Sequence, residues 1–180
     1  MKANTKSGSL NALLMSAFSL ALCVLCLLMF RGPISIASSL LIPAIIIVFS
    51  KNNGFSYYLL VSSGLMAVAL LFFQAQTAFA AGYLLLSAAL RILLINQKME
   101  LVLKPVPVLV YILFAAAVLY LGIRLTEWIF KVPLHGMMLR LSSNSGLRYA
   151  VILLAEGLLV FLLNAAILKA FLSRISGIKR

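Results

Sequence analysis

The sequence predicts an all-α polytopic membrane protein, six transmembrane helices in one bundle formed by residues 1–180 as a single domain. Hydrophobic residues fill 64% of the 180 positions and charged residues 10%, where a water-soluble domain carries about a quarter charged residues. The apolar residues are gathered into long runs, each approaching the roughly 20 residues that a helix needs to cross a bilayer. The 15 basic residues cluster at the ends of those runs, where Lys and Arg hold helices in register with anionic head groups.

The first span is expected near residues 10–30, after a basic lead containing Lys2 and Lys6, and ends at the helix-breaking group Arg31-Gly32-Pro33. The second covers about 34–50 with Pro43 as an internal kink, and Lys51-Asn52-Asn53-Gly54 forms a turn because Asn and Gly tolerate positive φ. From Phe55 to Ile95 the chain is almost continuously apolar. As one helix that stretch is about 60 Å long, twice the hydrocarbon thickness, so it must fold back. Gln74-Ala75-Gln76-Thr77 is its polar cluster and marks the reversal, giving spans at 55–73 and 78–95. The polar stretch Asn96 to Lys104 leads to Pro105 and Pro107, which open a fifth span at 106–130. Lys131 to Arg148 is the longest loop, and a sixth span at 149–171 precedes the basic tail.

This layout places Lys2, Lys6, Lys51, Lys98, Lys104, Lys169, Arg174, Lys179 and Arg180 on one side of the membrane and Arg31, Lys131, Arg140 and Arg148 on the other. Nine charges against four put both termini in the cytoplasm by the positive-inside rule, with Arg91 and Arg124 inside helices. The same distribution accounts for the net charge of +12 through membrane lipids, and nucleic acid is not an expected partner. The first span is long enough to cross and lacks a small-x-small exit, so it reads as retained. Leu22 is too bulky for a lipoprotein site before Cys23.

Few residues carry chemistry. Cys23 and Cys26 form one CxxC with no second pair, so packing is their expected role. His135 is the single histidine and the chain has no Asp, which removes histidine-cluster metal sites and Ser-His-Asp triads. No cofactor and no enzymatic activity are expected. Glu156 stands out because an acid within a span faces a cavity, a relay or a partner charge. Arg124 or Arg148 is the expected partner, in a structural ion pair or a ligand-contacting or proton-linked site. Arg124 and Glu127, spaced i, i+3, can pair on one face or touch a ligand, Arg91 can snorkel to an interface, and Asn164 suits a hydrogen bond between helices. The run Pro133 to Leu141 reads as an interfacial segment or as a lid. Ala17 and Ala21 lie with Leu13 on one ridge, where small side chains admit a neighbouring helix, either from a partner or from this chain.

Six helices in under two hundred residues, internal termini, Ala17-x-x-x-Ala21 in the first helix, and Leu41-Ile42-Pro43-Ala44 followed by Lys51-Asn52-Asn53-Gly54 together resemble the substrate-binding S components of energy-coupling-factor transporters, or related bacterial six-helix families. The resemblance implies a bacterial cytoplasmic-membrane subunit that takes a small ligand from the outer face and docks its coupling subunit through the alanine face. It also implies a ligand site among Arg124, Glu127, Arg140 and Glu156. The short Arg31-Gly32-Pro33 connection departs from a family that often covers its ligand with that loop. The competing class is a non-enzymatic scaffold or assembly subunit of an envelope complex, which accounts for the scarcity of polar residues in the spans.

Overall fold

The computed structural model describes residues 4–29, 36–50, 55–96 and 105–178. The secondary structure among them is helical throughout: α1 (Asn4–Met29), α2 (Ile36–Ser50), α3 (Phe55–Phe72), a 3-10 turn (Gln74–Gln76), α4 (Thr77–Asn96), α5 (Pro105–Phe130), α6 (Leu134–Leu141) and α7 (Gly146–Ile178). The expected break at Arg31-Gly32-Pro33, the turn from Lys51 to Gly54 and the polar stretch after Asn96 lie outside the described residues, as do Lys2, Lys179 and Arg180.

Four segments are long and apolar enough to cross a membrane: Leu10–Met29, Gln74–Leu93, Pro105–Phe130 and Gly146–Ile167. Two more, Ala37–Phe49 and Tyr57–Phe72, are apolar but shorter. Many large apolar side chains point outward, among them Leu71, Phe72 and Trp128 at 70% exposure or more. Such a surface is a liability in water and the natural one in lipid.

The reversal between α3 and α4 falls at Gln74–Gln76 as a tight 3-10 turn, within the polar cluster that marks it in the sequence. The ends of the first and last helices differ from expectation. α1 starts at Asn4 rather than near 10, and α7 covers Gly146–Ile178 rather than 149–171, because no proline interrupts the polar flanks and helical geometry continues past the apolar run. The 131–148 loop is also largely helical. α6 within it is amphipathic, burying Leu134 and Met138, one turn apart, while Met137 and Leu141 stay exposed.

The α6–α7 junction is tightly specified. Asn144 N–H donates to the Leu139 carbonyl at 2.7 Å and Ser143 N–H to that of Arg140 at 3.0 Å. With Ser143 and Asn144 at positive φ, this is a Schellman closure in which serine holds the position glycine usually takes. Ser145 then caps α7, its Oγ accepting from Arg148 N–H at 3.4 Å.

α2 occupies the middle, packing against α1, α3, α4 and α7. Its 15 residues rise about 22 Å, short of the roughly 30 Å hydrocarbon core, a length tolerable for a helix surrounded by protein. Ser39, Ile42, Ile46 and Ile47 are fully buried there. The most extensive helix pair is α5 with α7. Tyr111 meets Phe161 with ring centroids 5.5 Å apart. A Cβ at Gly157 would lie 3.0 Å from the Ile112 carbonyl oxygen and 3.1 Å from the Ala115 Cβ. Numbers rise along one helix as they fall along the other, so the pair is antiparallel. The missing side chain at Gly157 lets two backbones approach, the small-residue device of helix packing in lipid.

Because a backbone oxygen cannot yield as a flexible side chain can, Gly157→Val is expected to force α5 and α7 apart and destabilise the protein by about 1–3 kcal/mol. Thermal denaturation in mild detergent checks this, and unchanged stability would show that the pair can re-space.

Candidate functional site

The carboxyl group of Glu156 sits inside the bundle, the residue being only 4% exposed. Ten positions separate it from the start of α7, about 15 Å of rise. Its hydrogen-bond partner is Ser39 on α2, whose Oγ donates to Glu156 Oε1 at 2.7 Å. Tyr83 on α4 lies within electrostatic reach. The expected pairing with Arg124 or Arg148 does not form. Among the described residues the ion pair joins Arg124 Nη1 to Glu127 Oε2 at 3.2 Å, near the far end of α5, with side chains 51% and 30% exposed. The Glu156 carboxyl instead meets a hydroxyl from a helix 117 positions away in sequence.

One helical face of α7 continues this polar stripe. Asn164, two turns below Glu156, donates Nδ2–H to the Val160 carbonyl at 2.7 Å and to Leu40 O at 3.5 Å, the interhelical role expected of it. Glu156 and Asn164 thus meet adjacent residues of α2, just before Pro43, which lacks the N–H that a helix interior ordinarily supplies four residues back. Elsewhere Tyr57 donates to Ser19 Oγ at 2.7 Å, tying α3 to α1, and Tyr58 donates to the Leu84 carbonyl at 2.6 Å, tying α3 to α4. Cys23 and Cys26 are buried as free thiols on the inner face of α1, with the Cys26 carbonyl accepting from Ser38 Oγ at 3.5 Å.

A second group lies at the end of the bundle closed by α6. Tyr120 of α5, His135 of α6 and Tyr149 of α7 are in mutual ring contact, with centroids 5.4 to 6.2 Å apart. The Tyr149 hydroxyl and His135 Nδ1 are buried without hydrogen-bond partners among the described residues, and Arg124 and Glu127 are within electrostatic reach of Tyr149. The four residues expected to share a ligand therefore divide. Arg124 and Glu127 stay together, Arg140 is exposed on α6, and Glu156 is in the interior. No three His, Cys, Asp or Glu side chains gather to hold a metal among the described residues.

Ser39, Tyr83, Tyr120 and Tyr149 escape notice in the sequence. The available signal for Ser39 is the pair Ser38-Ser39 ahead of a proline in an apolar run; the tyrosines look like ordinary interfacial aromatics.

Ala17 and Ala21 are both exposed on α1. They lie midway along an outward stripe of Leu10, Leu14, Leu25 and Leu28, whose three- and four-residue spacing keeps it on one face of α1.

Replacing Ser39 by Ala is expected to destabilise the protein by about 0.5–2 kcal/mol, as interhelical hydrogen bonds do in bundles of this kind. Glu156→Gln, which keeps an acceptor for Ser39, is expected to be milder than Glu156→Leu. A double-mutant cycle of Ser39→Ala with Glu156→Leu measured by thermal denaturation tests the contact, and strict additivity would show that it contributes nothing. In comparisons with protein-family models, curated proteins and solved structures, none matches this chain.

Proposed function

We propose that this chain is a non-enzymatic subunit of a membrane complex, embedded by six spans in a bacterial cytoplasmic membrane with both termini in the cytoplasm. The observation that carries this reading is the outward face of α1, where exposed Ala17 and Ala21 interrupt a stripe of exposed leucines. α1 packs on α2 and α3 and leaves this face to the surroundings. Association in lipid comes from close van der Waals fit, and two alanines flanked by leucines form a shallow seat for another transmembrane helix.

Six spans follow if α2 and α3 cross along with the four longer segments, with α2 sheltered from lipid by its neighbours. An even number of spans returns the C-terminus to the side of the N-terminus, and the nine-to-four distribution of basic residues makes that side cytoplasmic.

Within this reading, a substrate-binding transporter subunit resembling the energy-coupling-factor S components draws support from the α6 end. There, buried hydrogen-bonding atoms of His135 and Tyr149 have no partner among the described residues, beside the Arg124–Glu127 pair, as befits a site receiving a small polar ligand from outside. The scaffold reading draws support from the interior, where Glu156, Ser39 and Asn164 are engaged in holding helices together.

A reporter active only in the cytoplasm, fused to the C-terminus, is expected to be active; an inactive fusion alongside a cytoplasmic N-terminus would require an odd number of spans. Ala17→Leu with Ala21→Leu is expected to leave the melting temperature unchanged while at least halving recovery of partner subunits in a mild-detergent pull-down. Undiminished recovery sinks the α1 seat. Paired ATPase subunits in the wild-type eluate would select transport, and envelope-assembly proteins would select the scaffold.

A further inference from the structure

Lys131, Arg140 and Arg148 are all exposed at the α6 end of the bundle, and the chain has almost no acid to set against them. Of its three carboxylates, Glu127 is engaged with Arg124 and Glu156 is buried against Ser39. Glu100 lies outside the described residues.

Arg148 is the best placed of the three. Continuing the antiparallel register set by Tyr111 with Phe161 and by Ala115 with Gly157 brings Arg148 level with Arg124, and the Tyr120–Tyr149 ring contact agrees. At that depth α5 also carries Trp128, 70% exposed one turn beyond Arg124, as tryptophan sits at the head-group level of a bilayer. Two arginines therefore stand at one depth. Arg124 has its own carboxylate, and the Arg148 guanidinium has no ion pair or hydrogen bond among the described residues.

Beside Arg148 a groove runs between the end of α6 and the start of α7. Leu147, Val151 and Ile152 form its apolar wall, and Ser142 and Ser143 lie at its polar end. Leu147 and Val151 are 78% and 56% exposed, so the wall is continuous with the apolar surface of α7. A cation beside the exposed Ser143 at the end of an open apolar groove complements an amphiphile with an anionic head.

We propose that this groove binds an anionic phospholipid, its phosphate held by Arg148 and one acyl chain lying along Leu147, Val151 and Ile152. The planar guanidinium suits two phosphate oxygens at once, and the chain gains dispersion contact with the α7 wall. This site is independent of the α1 seat and of the number of spans.

Native mass spectrometry of the full chain released from mild detergent, titrated with phosphatidylglycerol and in parallel with phosphatidylcholine, reads retained lipid directly. The wild type is expected to retain phosphatidylglycerol preferentially. Arg148→Gln should weaken that retention about five-fold, the scale of one basic residue at an anionic surface. Val151→Trp should also weaken it by filling the channel without changing charge, and Arg91→Gln, on α4 away from the groove, should leave it unchanged. Equal retention by wild type and Arg148→Gln overturns the proposal, as does equal weakening by Arg91→Gln. Displacement of the lipid by an equal concentration of inorganic phosphate also overturns it, making free phosphate the ligand. If Arg148→Gln lowers the melting temperature, Val151→Trp decides, and full retention by that variant rejects the groove.

Discussion

Hydrocarbon offers no hydrogen-bonding partner, and helices long and apolar enough to cross a membrane, as several are here, must satisfy their polar groups among themselves. Lipid tails are as apolar as leucine, so burying a leucine between two helices gains little over leaving it in lipid. A hydroxyl or carboxyl left in hydrocarbon costs several kcal/mol on the order of transfer scales. The polar groups therefore discriminate between one helix arrangement and another. Ser39 with Glu156 and Asn164 with Leu40 fix α7 against α2; Tyr57 with Ser19 and Tyr58 with Leu84 fix α3 between α1 and α4. Nearly every neighbour of the central helix is held by such a contact.

Close fit supplies the rest. Over residues 106–123 α5 carries no charged side chain to fix its rotation against α7. The approach of Gly157 to the Ile112 carbonyl and Ala115 removes that freedom, because one azimuth alone presents a residue without a side chain. Gly157 directly follows Glu156, so the residue that sets the α5–α7 spacing and the residue that anchors α7 to α2 are neighbours. Helix separation on one side of α7 and a hydrogen bond on the other are set at the same depth.

Much of the backbone plan was legible in the sequence, because crossing a bilayer needs long apolar runs and ends them at charges. The reversal at Gln74–Gln76 could be placed without a glycine or proline, since one helix of that length cannot fit the membrane. α6 was harder to see: eight residues within a loop carry an amphipathic pattern that serves equally well for an interfacial stretch or a packed helix. The partner of Glu156 was illegible for a different reason. Its expected partners were Arg148 at the start of its own helix and Arg124 on the preceding one, but helical register sends Arg124 to Glu127 and turns Glu156 inward to a serine. Charge attraction suggests ion pairs along the chain, whereas the helix crossing decides which side chains meet. Ala17 and Ala21 were recognisable as a ridge, and only the packing of α1 showed that this ridge faces away from the bundle.

The corner at Ser142 to Ser145 has a mechanical consequence. A Schellman closure on α6 runs directly into the capped first turn of α7, with no residue between them free of a backbone or capping bond. α6 and α7 are consequently joined through a corner whose residues are all hydrogen-bonded, while α6 also packs against α5. The helix that carries Glu156 and the short helix over the tyrosines thus share one fully bonded corner.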